Sequence, residues 1–271
     1  MIRVGIGGWV FEPWRGVFYP PGLAQAKELA HASRNVTSIE INGTFYGTQK
    51  PASFRKWAQE TPDDFVFSLK GPRYATNRSR LSEAAPSIER FFSSGVTELG
   101  QKLGPILWQF APNKRFDRDD FGAFLDLLPA KADGQAIRHA VEVRHASFAT
   151  PEFTSLLKKR GVAVVFADSD DYPAFADVTG DFVYARLQRT ADDEPHGYSP
   201  QDLDAWVERF GTWSAGGRPA DLPSIEPDHA VAKTKRPCFV YFISGAKVRN
   251  PAAAMALIER LGPAAPRPAA A

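Results

Sequence analysis

Eight short runs rich in β-branched and aromatic residues punctuate this chain, at 2–7, 36–42, 65–70, 105–110, 139–144, 162–168, 182–188 and 238–244. Segments with helical period separate several of them. Ile88, Phe91, Phe92, Val96, Leu99 and Leu103 form one stripe over 83–103, and Leu203, Trp206, Val207, Phe210 and Trp213 another over 200–213. Thr150-Pro151, Ser199-Pro200 and Asn250-Pro251 read as helix caps followed by proline at the first helical position. Such alternation implies a parallel sheet with crossover helices, and eight units imply a single α/β barrel of the TIM (β/α)8 type. An open doubly wound sheet is the competing arrangement. The chain has 271 residues, 44% of them hydrophobic, ample for one barrel over 1–262. A mobile surface insertion is expected at 214–236 and a frayed tail at 263–271.

Barrels of this kind keep their chemistry where the strands end. In "RHAVEVRHASF" (138–148), Glu142 and Arg144 share one face of a strand, opposite Val141 and Val143. The valines, with Ala140, are expected to pack outward while the acid and the base point into the barrel. Glu40/Asn42 and Arg186/Gln188 repeat the spacing, and Ser68, Lys70, Gln109, Asp168 and Ser244 close other strands. All eight strands are thus expected to deliver polar groups to one mouth. A structural ion pair would explain Glu142 and Arg144 alone, since buried charges must be paired. It would not explain the whole ring.

The loops add character. The first offers Trp9, Phe11, Trp14, Arg15, Phe18 and Tyr19, and the third Arg73, Tyr74, Arg78 and Arg80. Aromatics of this density also suit sealing one end of the barrel. With Arg144 and Arg186 the arginines make a locally positive mouth on a chain of net charge +2. That near-neutrality argues against bulk binding of nucleic acid or membrane. The expected ligand is a small anion bearing phosphate or carboxylate groups, which guanidinium forks match. Arginines beside aromatic surfaces would also suit a nucleotide or single-stranded nucleic acid.

Other signals are weak. "GIGGWV" lacks the third glycine of a dinucleotide fingerprint and reads as a tight turn. His31, His139, His145, His196 and His229 lack metal-ligand spacing, and no cofactor motif is present. Glu40, Glu142 and Asp168 could together hold a hard cation, but a site without metal is the preferred reading. Cys238 lies in an apolar run and reads as a buried, inert thiol. No window is long and apolar enough for a membrane span, and no signal-like leader precedes the first strand, so a cytoplasmic location is expected. The sequence sets no oligomeric state.

"IGGWVFEPWRGVFYP", "SIEINGTFYG", "FRKWAQETPDDFVFSLKGPRYAT", "LGPILWQFAP", "HAVEVRHASF", "FVYARL" and "YFISGAKVRNPAAAMAL" follow one another along nearly the whole chain. In this order they resemble the YecE-like family, also called domain of unknown function 72. The resemblance implies a TIM-type barrel and no established activity. By motif it carries over Trp14, Arg15, Glu40, Asn42, Phe45, Tyr46, Lys70, Gln109, Glu142, Arg144, His145, Arg186 and Tyr198. Family members typically read I-T-H at Ala75-Thr76-Asn77, R-L-H-G at Arg186 to Arg189, and F-N-N at Phe242-Ile243-Ser244. Two histidines and two amides of the mouth are therefore replaced here, at Asn77, Gln188, Ile243 and Ser244. The charged centre of Glu40, Lys70, Glu142, Arg144 and Arg186 survives.

The leading expectation is an enzyme, a hydrolase or isomerase, acting on a small or nucleotide-like anion. Glu142 or Glu40 would act as general acid/base, with Lys70 beside them. Arg144, Arg186, Gln109, Asn42, Tyr46, Trp14, Arg15, Arg73, His145, Gln188 and Tyr198 would bind or orient the substrate. The second expectation is a noncatalytic protein that binds nucleic acid or a phosphorylated ligand. A glycosidase using Glu40 and Glu142 as its carboxylate pair is a third.

Overall fold

In the computed structural model, which describes residues 1–262, eight parallel strands close into a barrel. They are β1 (Ile2–Gly7), β2 (Ser38–Ile41), β3 (Val66–Lys70), β4 (Leu103–Gln109), β5 (His139–Glu142), β6 (Ala163–Asp168), β7 (Val183–Leu187) and β8 (Cys238–Phe242). β1 pairs with β8 and with β2, so no edge strand remains. Each strand is one of the eight apolar runs of the sequence, trimmed by up to three residues or, for β4, extended toward its start. The tail at 263–271, expected to fray, lies outside the described residues.

Seven helices of eight residues or more form the outer shell among the described residues: α1 (Glu28–Asn35), α2 (Pro51–Glu60), α3 (Ala85–Phe92), α4 (Arg118–Asp126), α5 (Pro151–Arg160), α6 (Pro200–Ser214) and α7 (Asn250–Leu261). Thr150 and Ser199 cap α5 and α6 as their sequence predicts, accepting bonds from Phe153 N at 3.3 Å and Asp202 N at 3.1 Å. Asn250 does not cap α7. It is already helical, and its Oδ1 accepts instead from Thr190 Oγ1 at 2.8 Å. The stripe over 83–103 also divides, because Gly95 (φ 89°) breaks the helix after α3 and Leu103 opens β4.

The crossover from β6 to β7 has no helix. Its place is taken by the segment expected to be a mobile insertion, which is in fact tied down. Pro223 O accepts from Ala176 N at 2.7 Å, and the Asp177 carboxylate accepts from Ile225 N and Glu226 N at 2.7 and 3.0 Å. Glu226 pairs with Lys158 of α5 at 2.7 Å. Leu222 and Ile225 pack against the core between sheet and shell. Arg236 fastens the end of this strap to Gly217 O and Ala232 O, at 2.9 and 2.6 Å.

Inside the barrel, alternation sets the lining. Leu107, Ala140, Ala163, Val165, Phe182, Tyr184, Phe239, Tyr241 and Ile243 form a separate inner cluster. Ala140 therefore faces inward with Glu142, not outward with Val141 and Val143, since positions two apart share a face. The same parity places Asp168 with Val164 and Phe166 on the outer side, while Ser244 lies beyond the end of β8 in a left-handed conformation (φ 64°) and is exposed.

Candidate active site at the barrel mouth

Five strands carry the polar side chains of the mouth: β2 (Glu40, then Asn42), β3 (Lys70, with Ser68 one layer below), β4 (Gln109), β5 (Glu142, then Arg144) and β7 (Tyr184, Arg186, then Gln188). The expectation that all eight contribute is corrected. By alternation β1, β6 and β8 present Gly7, Ala167 and Ile243 instead. A Cβ added at Gly7 would sit 3.1 Å from Asn42 Nδ2 and 3.3 Å from Ile243. The polar strands β2 to β5 thus run consecutively around the mouth, while β7 stands between two strands, β6 and β8, that present apolar groups there.

Arg186 is its centre. The guanidinium is buried and bridges two buried carboxylates, with Nε and Nη2 each 3.2 Å from Glu40 and Nη1 on Glu142. Tyr184 donates to Glu40 at 2.7 Å. Glu142 also accepts from Gln109 Nε2, 3.0 Å from both its oxygens, and from Arg144 Nε at 2.8 Å. Burial alone would raise the Glu142 carboxyl, but the charges of Arg186 and Arg144 and the Gln109 bond outweigh it and hold it at about 2. Glu142 is therefore a fixed anion at neutral pH, with no proton to give and every lone pair engaged. Burial lowers the Arg186 guanidinium and the two carboxylates more than reverse this.

Lys70 differs. It is only 6% exposed, and its Nζ lies 4.0 Å from the centroid of the Phe45 ring. No carboxylate among the described residues comes within ion-pair distance of that nitrogen. Burial, then the charge of Arg186, lowers the ammonium to about 8 against the opposing pull of Glu40 and Glu142. Gln188 Nε2 is likewise buried without a hydrogen-bond partner. Arg144 stacks 4.2 Å from the Tyr172 ring, which the helix-free crossover brings over the mouth.

The loop residues divide. Trp14 is fully buried in the aromatic seal with Phe11, Phe18 and Tyr19, and its Nε1 donates to Lys247 O at 2.9 Å. Packing of the first loop onto the last one removes it from the mouth. Arg15 is drawn the other way by buried Glu28, at 2.8 Å. Tyr198 supports the β7 loop, donating to Asp168 at 2.9 Å and accepting from Arg189 N at 3.0 Å. His145 turns its Nδ1 to Ser147, accepting from the amide at 3.1 Å. Tyr46 and Tyr74 stand exposed on the rim, with Arg73 6.0 and 5.3 Å from their rings. Glu40 and Glu142 do converge, but the guanidinium fills the space between them and Asp168 faces away. No group of three or more His, Cys, Asp or Glu placed to hold a metal occurs among the described residues. Two mouth residues went unread in the sequence. Tyr184 was legible as the start of the inward row that continues through Arg186 and Gln188, whereas Tyr172 carries no local signal.

Beside this centre lies a pocket of about 370 Å³ between the loops after β2 and β3, walled by Thr44, Pro72, Tyr74, Phe91, Arg78 and Arg90. Thr44 belongs to both, since its hydroxyl donates to Lys70 O at 2.7 Å.

Fold and site together define a TIM-type (β/α)8 barrel protein with a buried ionic network at its C-terminal mouth. The chain belongs to the DUF72 family: the family model described as "Protein of unknown function DUF72" matches residues 3–271. Among curated relatives, UPF0759 protein YunF of Bacillus subtilis (strain 168) is 31% identical over 117 residues, 41% of this chain and 40% of the relative. UPF0759 protein YecE of Escherichia coli (strain K12) is 28% identical over 188 residues, 62% of this chain and 60% of the relative. The matched stretches thus span about half the length of these relatives. A solved DUF72 family protein of Thermotoga maritima MSB8 shares the fold, with a TM-score of 0.73 and 22% identity over 96% of this chain and 99% of that one. No helix among the described residues is long and apolar enough to cross a membrane.

Proposed function

We propose that this chain is an enzyme acting by acid/base chemistry on a small phosphate- or carboxylate-bearing substrate, with Lys70 as the proton carrier. The observation that carries the reading is the unequal pairing of the charges. Arg186 has two carboxylates and Arg144 has one, while Lys70 has none. An ammonium held at about 8 exchanges its proton readily at neutral pH. Glu142, a fixed anion, serves as the countercharge that orients Arg144 and Gln109, and Glu40 does the same for Arg186. Gln188 Nε2, Asn42 and the free edge of Arg144 are left to receive substrate oxygens. The soluble full chain should bind inorganic phosphate or a small carboxylate by calorimetry. Arg144→Ala and Gln188→Ala should each weaken that binding by about tenfold, the size of one charge-assisted hydrogen bond. Unchanged affinity in both variants would move the anion site elsewhere.

The exposed Tyr46–Arg73–Tyr74 stack favours a second reading, a noncatalytic site for nucleic acid or a phosphorylated ligand. Affinity for a single-stranded oligonucleotide that falls steeply with salt, and that Arg73→Ala reduces, would support it. Binding of one small anion with little salt dependence would count against it.

A further inference from the structure

We propose that Lys70 is a covalent centre, condensing as a neutral amine with the carbonyl of an anionic aldehyde or ketone to form an imine. This rests on the anion reading above and deepens it, giving Lys70 a covalent step in place of simple proton carriage and naming the substrate class: a carbonyl compound that also bears a phosphate or carboxylate.

The geometry separates Lys70 from a lysine that only balances charge. Its main chain is fixed by Thr44, whose hydroxyl donates to Lys70 O at 2.7 Å, and the next residue, Phe45, places its ring 4.0 Å from Nζ. Burial and the guanidinium groups of Arg186 and Arg144 nearby favour the uncharged amine over the ammonium, whose one compensating contact of this kind is the face of the Phe45 ring. The carboxylates that could neutralise an ammonium, Glu40 and Glu142, are already committed to those arginines. The amine therefore stays free to attack, while Arg144 and Gln188 Nε2 have donors left for the substrate's anionic group. Burial and the neighbouring cations set the group at about 8, where a substantial fraction is neutral at physiological pH.

The step balances without any further reagent. The nitrogen lone pair attacks the carbonyl carbon, and a proton passes from nitrogen to the new alkoxide to give a carbinolamine. Loss of that oxygen as water, with the second nitrogen proton, leaves the imine. Protonated, it withdraws electrons from the adjacent C–H bond, the chemistry an isomerase of carbonyl compounds requires.

The full chain would be incubated separately with glyceraldehyde 3-phosphate, pyruvate and the neutral glycolaldehyde, reduced with borohydride, and read by intact mass and peptide mapping. One adduct per chain on Lys70 is expected with at least one anionic carbonyl, at about tenfold lower concentration than glycolaldehyde needs. Its rate should rise as pH passes through about 8. Lys70→Arg, checked for fold by circular dichroism, should lose the adduct. Arg144→Ala should lose the preference for the anionic carbonyls over glycolaldehyde. No Lys70 adduct with any of the three, or labelling spread equally over surface lysines in both the parent chain and Lys70→Arg, would overturn the proposal. Phosphate binding measured on the same samples keeps the two readings apart. Phosphate bound without an adduct removes the imine and leaves the anion site standing. A Lys70 adduct with no phosphate binding and no anion preference removes the anionic substrate class.

Discussion

Two polar clusters lie one above the other inside the barrel, and they handle burial in opposite ways. In the lower one, the Tyr241 hydroxyl meets Ser38 Oγ at 2.7 Å and Ser68 Oγ at 2.6 Å, with the Tyr184 ring 5.1 Å away. Every group is neutral, and burial pushes the Tyr241 phenol further from ionising. In the upper one, Arg186 holds Glu40 and Glu142, and Arg144 holds Glu142 a second time. Tyr184 joins the layers through its bond to Glu40. The lower cluster loses little when one member is deleted, because a hydroxyl can find another neutral partner. The upper cluster depends on opposite charges that were all taken out of water. Only the upper one leaves groups unpaired, Lys70 and Gln188.

The sharpest way to break this contrast is Arg186→Met. Two buried carboxylates would lose their shared cation, at a cost of about 3–5 kcal/mol, read as a fall in the urea midpoint. A change below about 1 kcal/mol would mean that the network is hydrated and not truly buried.

Acid should act on the upper layer next. Glu142 is held below its ordinary value, so its contribution is complete above 4.5 and is lost as pH falls from there through about 2. His139 adds an earlier window outside the barrel. Its Nδ1 accepts from Trp108 Nε1 at 3.0 Å, and burial lowers it to about 4. A histidine buried neutral favours folding fully above 6.5 and progressively less as pH falls to about 4. Each group contributes a slope of at most about 1.4 kcal/mol per pH unit. His139→Gln should flatten the upper window alone in a series of pH-dependent denaturation curves.

Lys70→Met has the reverse sign. Because the folded chain disfavours the ammonium, the substitution should stabilise it by up to about 3 kcal/mol at neutral pH. The gain should shrink as pH rises above about 8, where the lysine sheds its charge in the fold. Loss of stability instead would show that Lys70 is a needed countercharge for Glu40 and Glu142. The smallest effect belongs to the lower layer. Tyr241→Phe should cost about 1 kcal/mol with no dependence on pH in the acid range, checked by the same denaturation series.

Much of this was legible in the sequence. Alternation in "HAVEVR" and "FVYARLQ" put Glu142, Arg144, Arg186 and Gln188 on the inner face, because Val141, Val143, Val183 and Leu187 fixed the other side. The same reasoning failed for Asp168 and Ser244. β6 and β8 are apolar on both faces, as parallel strands buried under helices are, so their parity could not be read. Trp14 and Arg15 sit in the right loop, but whether a loop side chain seals or binds depends on distant partners, here Lys247 and Glu28. The isolation of Lys70 from every carboxylate among the described residues is a relation among four strands that no local pattern encodes.

The helix-free crossover has a consequence for how the molecule is made. The flank beside β6 and β7 is covered not by a helix of its own crossover but by residues 222–226, about fifty positions beyond Asp177. A chain emerging from the ribosome leaves Phe175 and its surroundings open until the strap has been synthesised. Closure of the shell at this flank thus becomes a late, long-range event in vectorial folding.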